Sequence, residues 1–210
     1  MSAMPSDHDE IIARYRRVAA LPDGLFLFTF PLRRRAIERL HLAPGESVLE
    51  VGCGSGANFA FLVRAVGPTG QVVGVDISPE MAAAARARVQ RHGWSNVQVV
   101  KSPAESMHLA GLFDGLLLFA MHDVLTSPEA IRRCLEHVRP GGRVVVVSPV
   151  LADRLPGRLL NPLAALAFHR FSVSRVDLAQ PWRLLVEQLP GLHVERLGPG
   201  ILFLATGQVA

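Results

Sequence analysis

One stretch of the chain decides its fold, Val48-Leu49-Glu50-Val51-Gly52-Cys53-Gly54-Ser55-Gly56-Ala57-Asn58-Phe59. It begins as an apolar run, passes through an acidic residue into alternating glycines, and continues into a helical pattern. This order predicts a buried strand, a tight turn and the start of a helix. Because glycine lacks a Cβ and accepts positive φ, a ligand can approach the backbone of such a turn. Free N–H groups at the helix start favour negative charge there.

Two classes of ligand fit this turn. Gly52-x-Gly54-x-x-Ala57 satisfies the fingerprint of dinucleotide-binding turns, which hold a pyrophosphate. S-adenosylmethionine (SAM) would place its methionine end on the same backbone. Glu50 separates the two ligands, because its carboxylate repels a pyrophosphate and attracts the ammonium group of SAM, directly or through water. The acidic residue just before the glycines therefore favours SAM.

The next apolar run, residues 71–76, also ends in an acidic residue. At the end of a strand, the carboxylate of Asp76 can accept hydrogen bonds from both hydroxyl groups of a ribose. Ile77 follows and is expected to pack against adenine. Ser78 and Pro79 suit an N-cap and a first helical position. Asp76 and Ile77 are therefore candidate cofactor-binding residues.

Two more buried strands are predicted downstream. Residues 113–120 form a continuous apolar run, and residues 143–148 are rich in valine and follow an Arg-Pro-Gly-Gly turn. Ligands of open α/β sheets bind beyond the carboxyl ends of the strands. Phe119 is thus expected to contact the cofactor, and His122 and Asp123 are expected near the reacting atoms.

This set of features resembles the class I SAM-dependent methyltransferases. Glu50-x-Gly52-x-Gly54-x-Gly56 resembles the first motif of the class, and Asp76 its second. The resemblance implies a Rossmann-like, doubly wound α/β fold, with a mostly parallel seven-stranded sheet, an antiparallel C-terminal strand and helices on both faces. It implies SAM as the cofactor, S-adenosylhomocysteine as the product, and a cofactor site at these five residues.

The adenine contact departs from the pattern of the class. Many relatives have an aspartate–alanine pair after the third strand, and Pro103 stands here in place of the aspartate. We expect Glu105 or the backbone of Ala104 to contact adenine instead.

A single methyltransferase domain is predicted over residues 1–210. Within it, residues 8–43 are expected to form an N-terminal helical cap, and residues 151–180 an insertion over the pocket. Both segments are apolar and interrupted by arginine and proline. No internal repeat or second domain is evident.

The nature of the acceptor is predicted only broadly. Within the class, the chain looks most like small bacterial enzymes that methylate quinone precursors or phospholipid head groups, and a natural product is as plausible. Tyr15, Phe26 and Phe28 are candidate substrate-binding residues, although such apolar stripes more often pack helices onto a core.

Methyl transfer is an in-line displacement that requires alignment and exclusion of water. A general base is needed only if the nucleophile carries a proton of high pKa. His122 is the candidate base or orienting group, since the ordinary pKa of histidine suits proton removal near neutrality. Asp123 would orient His122 or bind an amine. The alternative is that His122 only packs at the end of the strand.

The charge balance argues against a nucleic-acid partner. Lysine and arginine number 22 against 18 acidic residues, a formal charge of +4, without a dense basic block. Arg33-Arg34-Arg35 is predicted to be the solvated face of a helix. Arg154, Arg158, Arg170 and Arg175 lie in or near apolar stretches, where they could meet a phosphate group or a membrane surface. A small-molecule acceptor is therefore the predicted partner.

Cys53 and Cys134 are the two cysteines of the chain, and no histidine, cysteine or carboxylate pattern predicts a metal. Such cysteine usage suits a reducing cytoplasm. Acidic residues at positions 7, 9 and 10 argue against a signal peptide, and no apolar stretch reaches the about 20 residues of a membrane span. A cytoplasmic location is predicted.

Two other functions are compatible with the sequence. An NAD(P)-dependent oxidoreductase is compatible with the glycine spacing and Asp76. A non-catalytic SAM-binding protein is compatible with Pro103 and with the lack of an obvious catalytic group. The C-terminal pair of strands, residues 192–197 and 201–205, favours the methyltransferase, because such dehydrogenases more often continue with parallel units.

Overall fold

The computed structural model describes residues 29–162 and 178–210. The described strands are β1 (Ser47–Val51), β2 (Gln71–Asp76), β3 (Val97–Lys101), β4 (Phe113–Phe119), β5 (Val138–Pro149), β6 (His193–Leu197) and β7 (Leu202–Gln208). The described α-helices are α1 (Phe30–Glu38), α2 (Phe59–Val66), α3 (Pro79–His92), α4 (His122–Leu125), α5 (Pro128–Glu136) and α6 (Arg183–Gln188), and a 3₁₀ turn covers Gly157–Leu160.

The strands form one sheet in the order β3-β2-β1-β4-β5-β7-β6. β1 pairs in parallel with β2 and with β4, and β7 pairs antiparallel to both β5 and β6. The chain therefore moves outward from β1 to β3 and then returns to the other side of β1 with β4. This reversal opens a crevice beyond the carboxyl ends of β1 and β4, where ligands of doubly wound sheets bind. The predicted fold class is confirmed.

Both faces of the sheet are covered by helices. In the central strand β4, Leu116 and Leu118 pack in the layer that contains residues of α4, α5 and α6, whereas Leu117 packs in the layer that contains residues of α1, α2 and α3. These three leucines are fully or almost fully buried. Alternation of this kind follows from the two-residue period of a strand, and each buried leucine contributes about 1.5–3 kcal/mol of transfer free energy.

Helix boundaries mostly follow the local signals in the sequence. The Ser78 side chain accepts a hydrogen bond from the backbone N–H of Met81, and Gly93 ends α3 in a left-handed conformation with φ 66°. The helix that follows the glycine motif, α2, begins only at Phe59, because the glycine turn continues through Asn58.

The fifth strand is longer than predicted. β5 starts at Val138, because Phe113 pairs with Val138 before the register shifts across the turn at residues 139–142 and resumes at Arg143. Arg139 and Gly142 thus belong to an irregular extension of the strand.

The described part of the predicted cap packs onto the sheet domain. Ala36, Ile37 and Leu40 are buried in the same cluster as Phe59 and Leu62 of α2. These side chains attach α1 and the turn after it to the layer that α2 forms on the sheet.

The described part of the predicted insertion is held by a side-chain amide. Asn161 Nδ2 donates to the carbonyl of Ala152, and Asn161 Oδ1 accepts from the N–H of Ala152, each at 2.9 Å. This pair of hydrogen bonds closes the segment between residues 152 and 161 into a loop that contains the 3₁₀ turn.

Candidate functional site

A cleft of about 170 Å³ lies beyond the carboxyl ends of β1, β2 and β4. Most of its lining is apolar, and it includes eight of the residues predicted to bind the cofactor or to act on the substrate. The lining residues are Val51, Gly52, Gly54, Val75, Asp76, Ile77, Met81, Ser102, Ala104, Glu105, Phe119, Ala120, Met121, Asp123 and Val124.

The three motif glycines have different surroundings. All have positive φ, at 73° for Gly52, 55° for Gly54 and 77° for Gly56. A Cβ on Gly54 would meet no atom within 4 Å, whereas one on Gly56 would lie 2.6 Å from the ring of Phe59. A Cβ on Gly52 would collide with the side chain of Met121. Gly54 thus offers open backbone to a ligand, and Gly56 does not line the cleft.

Asp76 connects the glycine turn to the start of α3. Its Oδ2 accepts from the N–H of Gly54 at 2.8 Å, and its Oδ1 accepts from the N–H of Ser78 at 2.9 Å. Burial raises the pKa of Asp76, and these two hydrogen bonds oppose that effect. Each carboxylate oxygen has a second lone pair. The carboxylate is therefore held in a fixed orientation at the edge of the cleft.

Glu50 belongs to β1, does not line the cleft and is 1% exposed. Its Oε1 accepts a hydrogen bond from Asn58 Nδ2 at 2.5 Å, while Oε2 has no hydrogen-bond partner among the described residues. Burial raises the pKa of Glu50 to about 8, against the opposing effects of Asn58 and of the positive charge of Arg33. The carboxyl group is mostly protonated at neutral pH, and one of its oxygens is unsatisfied.

Arg33 contacts residues next to the site, and the sequence did not single it out. Its Nη1 donates to Asn58 Oδ1 at 2.9 Å, and its guanidinium lies 4.5 Å from the centre of the Phe119 ring. The prediction of a solvated face is wrong for Arg33, which is half-buried, and it fits Arg34, whose side chain is 73% exposed. No local pattern distinguishes the two arginines, since the contact joins α1 to a distant turn.

The segment after β3 forms the far wall of the cleft. Ala104 and Glu105 both line it, as does Ser102, which the sequence interpretation did not single out. The N–H of Ser102 donates to the carbonyl of Asp76 at 3.0 Å, which ties this wall to the end of β2. Pro103 leaves this wall without the aspartate that many relatives have.

The chain turns sharply after β4. Ala120 has φ 59°, a left-handed conformation that non-glycine residues rarely adopt. The turn brings Met121 and Asp123 to the cleft, whereas His122 is buried and does not line it. His122 Nδ1 lies 3.1 Å from Ser148 Oγ, and burial lowers the pKa of His122 to about 4. The imidazole is therefore neutral and weakly basic near neutral pH.

The remaining predictions fall outside this geometry. Tyr15, Phe26, Phe28, Arg170 and Arg175 lie outside the described residues. In residues 29–162 and 178–210, no group of three or more histidine, cysteine, aspartate or glutamate side chains is placed to hold a metal ion. Over the same residues, no helix is long and apolar enough to cross a membrane.

Comparison with known proteins shows which family the chain resembles. Residues 48–142 match a methyltransferase domain. The chain is 34% identical over 150 residues to the ubiquinone/menaquinone biosynthesis C-methyltransferase UbiE of Ectopseudomonas mendocina, a match that covers 70% of this chain and 56% of that protein. It is 33% identical over 153 residues to the nocamycin O-methyltransferase of Saccharothrix syringae, a match that covers 71% of this chain and 54% of that protein. The chain spans about half the length of these curated relatives.

A solved structure extends the likeness to the whole fold. The N-methyltransferase NodS from Bradyrhizobium japonicum, in complex with S-adenosylhomocysteine, superposes with a TM-score of 0.68 at 18% identity, over 96% of this chain and 99% of that one. Fold and site define a Rossmann-like domain with its ligand cleft at the switch point of the sheet. The chain carries a domain of the class I SAM-dependent methyltransferases, and the predicted class and its defining cofactor are confirmed for this domain.

Proposed function

We propose that this chain transfers a methyl group from SAM to a small, largely apolar acceptor. The observation that carries the proposal is the pair of buried carboxyl groups, Glu50 and Asp76, next to a glycine turn whose Gly54 offers open backbone to a ligand. The unsatisfied Oε2 of Glu50 fits a ligand that brings a hydrogen-bond donor and positive charge. The named relatives are methyltransferases, which favours this function over an NAD(P)-dependent oxidoreductase.

Each part of the cleft has a role in holding the cofactor. Asp76 would accept hydrogen bonds from the ribose hydroxyl groups, and Glu50 would face the ammonium group of the methionine end. Ile77 and Met81 supply apolar surface for adenine. Glu105 and the backbone of Ala104 would contact the adenine edge, in the absence of an aspartate at position 103.

The bound cofactor supplies an activated methyl group on a sulfonium. The residues of the chain align the acceptor with that methyl group and keep water out. The turn after β4 borders the reaction space with Phe119, Met121 and Asp123, and Asp123 is the charged group of this turn that lines the cleft. We propose that Asp123 orients the acceptor and that His122 supports the turn, because a buried imidazole with a pKa of about 4 is a weak base.

At the turn after β4, Phe119, Met121 and Val124 give the cleft apolar surface next to the proposed reaction space, which supports an acceptor with an apolar body. The relatives are named for a carbon methylation in quinone biosynthesis and for an oxygen methylation of nocamycin. We therefore propose a quinone precursor, a lipid head group or a small natural product as the acceptor. The labelled product of the reaction would identify the atom that receives the methyl group.

Two measurements test the proposal. Calorimetry with SAM and S-adenosylhomocysteine is expected to show binding of both. Asp76→Ala is the control variant, and it should bind both much more weakly. Mass spectrometry of a cell extract incubated with the protein and methyl-labelled SAM is expected to show a labelled small molecule. No binding of either ligand at millimolar concentration would overturn the proposal. Binding without turnover across a broad acceptor panel would instead favour the non-catalytic SAM-binding alternative.

A peripheral contact with anionic lipid is proposed as a second property. Leu155 and Leu159 are 72% and 74% exposed, and Arg154 and Arg158 are exposed beside them. Apolar and cationic groups together suit the surface of an anionic membrane. Sedimentation with phosphatidylglycerol vesicles should be lost in Leu159→Glu and kept in the control Leu112→Glu. Equal sedimentation of both variants would contradict the contact.

The predicted cytoplasmic location remains a proposal. Cys53 and Cys134 are both buried free thiols, which supports a reducing compartment.

A further inference from the structure

Three side chains form a hydrogen-bonded chain from α1 to the back of the cleft. Arg33 Nη1 donates to Asn58 Oδ1 at 2.9 Å, and Asn58 Nδ2 donates to Glu50 Oε1 at 2.5 Å. Arg33 is also fixed on its other sides, because its Nε donates to Thr29 Oγ1 at 2.8 Å and its guanidinium stacks on the Phe119 ring. Arg33 is thus held in one position relative to the cleft.

The chemistry of the three groups allows one direction of hydrogen bonding. A guanidinium can only donate, so the amide of Asn58 must present its oxygen to Arg33. The amide nitrogen then faces Glu50, whose Oε1 accepts. Asn58 is 2% exposed, so water does not compete for either contact. The orientation of the amide, and through it the placement of Glu50 Oε1, is therefore set by Arg33.

We propose that Arg33 is a positioning residue for cofactor binding, which acts through Asn58 to hold the Glu50 carboxylate and so makes cofactor affinity depend on the placement of α1. This inference rests on the proposed use of SAM. Arg33 does not line the cleft, so its effect on the ligand is indirect.

The charged groups around Glu50 make the effect of Arg33 dependent on pH. Burial has the largest effect and raises the pKa of Glu50, the hydrogen bond from Asn58 and the charge of Arg33 lower it, and Asp76 of β2 raises it again. Cys53 of the glycine turn also lies close, and its raised pKa keeps the thiol neutral. Loss of Arg33 therefore makes Glu50 harder to ionise, and a ligand that needs the carboxylate must displace the proton at greater cost.

The experiment compares Arg33→Met with Arg34→Met. Both changes remove one guanidinium from the same helix, but Arg34 is exposed and pairs with Glu38. The dissociation constant of S-adenosylhomocysteine is measured by calorimetry from pH 6.5 to 9.5. Arg33→Met is expected to weaken binding by about fivefold or more at pH 7, with the loss narrowing as the pH rises above the pKa of Glu50. Arg34→Met should match the wild type, and Arg33→Lys should keep most of the pH profile.

A second arm separates positioning from simple loss of folding. In a Glu50→Gln background, Arg33→Met should change the affinity by less than about twofold, because the carboxylate on which Arg33 acts is absent. An equal loss in both backgrounds, or a loss that is the same at every pH, would overturn the inference. Arg33→Met that binds as well as Arg34→Met would overturn it while the proposed function stands. A wild-type protein that binds no ligand at any pH would overturn both.

Discussion

Carboxylates lie at both ends of the parallel strands, and the two groups differ in their partners. At the amino ends, Asp114 Oδ2 accepts from the N–H and the hydroxyl of Ser47 at 2.7 and 2.8 Å, and Oδ1 forms an ion pair with Arg139. Burial alone would raise the pKa of Asp114, but the hydrogen bonds from Ser47 and the charges of Arg139 and Arg143 outweigh it and lower the pKa.

At the carboxyl ends of the strands, burial outweighs the opposing effects of hydrogen bonds and charges. Burial raises the pKa of both Glu50 and Asp76, and the hydrogen bonds and charge that they receive only partly offset it. At Asp114, the partners in the protein outweigh the cost of burying the charge. At Glu50 and Asp76, the cost of burying the charge is larger than the opposing effect of their partners. Groups whose charge is not compensated by the protein mark the end of the sheet that is built for a ligand.

The largest expected effect is that of Asp76→Ala. The change removes the proposed ribose contacts and the two hydrogen bonds that fix Gly54 and Ser78. Calorimetry should show at least about a 100-fold weaker affinity for S-adenosylhomocysteine, since each hydrogen bond to a charged group is worth about 1.5–3 kcal/mol. An affinity within about threefold of wild type would contradict the assignment.

Glu50→Gln should separate ligand binding from stability. The pKa of Glu50 is about 4.5 in the unfolded chain and is raised to about 8 in the folded state. The free energy of unfolding therefore falls as the pH rises from 4.5 to about 8, and this loss is complete above pH 8. Glu50→Gln should therefore raise the melting temperature at pH 8 by roughly 5 °C or more, and weaken cofactor binding about tenfold. A lower melting temperature at pH 8 would show that the carboxylate is satisfied within the protein.

Asp114→Asn is the matched change at the other end of the sheet. It should cost about 1–2 kcal/mol of the free energy of unfolding at pH 7 and leave cofactor affinity unchanged. The pKa of Asp114 is lowered in the folded state, so its contribution is present above the pKa of the unfolded chain and is lost as the pH falls through the folded pKa. Denaturant titrations measure the free energy of unfolding of both proteins at pH 7 and at pH 3. An Asp114→Asn variant more stable than the wild type at pH 7 would contradict a stabilising role of this carboxylate.

The smallest effect on the reaction is expected for His122→Gln. If His122 supports the turn after β4, turnover with saturating substrate should change by less than about threefold, well below the about 100-fold or more that general-base catalysis contributes. A loss of that larger size would restore His122 as the base. The kcat of the variant at pH 7 decides between the two roles.

The positions of most strands along the chain could be predicted because apolar runs and the turn residues that end them are local patterns. The arrangement of those strands in one sheet was implied by the resemblance to the class I methyltransferases and not by any local pattern. Asp76 follows its own apolar run, and Ser78 caps the helix that comes next. The prediction was less complete where a contact joins separate elements. The Arg33–Asn58 contact and the packing of Phe59 against Gly56 depend on how α1 and α2 lie on the sheet, which the sequence of each segment does not contain.

The role of Glu50 is tested most directly by the proton released when S-adenosylhomocysteine binds at pH 6.5. Burial raises the pKa of Glu50 to about 8, so the unliganded protein holds this carboxyl group mostly protonated at that pH. If the ligand requires the carboxylate, calorimetry in buffers of different ionisation enthalpy should show release of about one proton per ligand bound. Glu50→Gln should release none. Binding of the ligand to the wild-type protein without proton release would contradict the proposed role of Glu50 as the partner of the ligand's ammonium group.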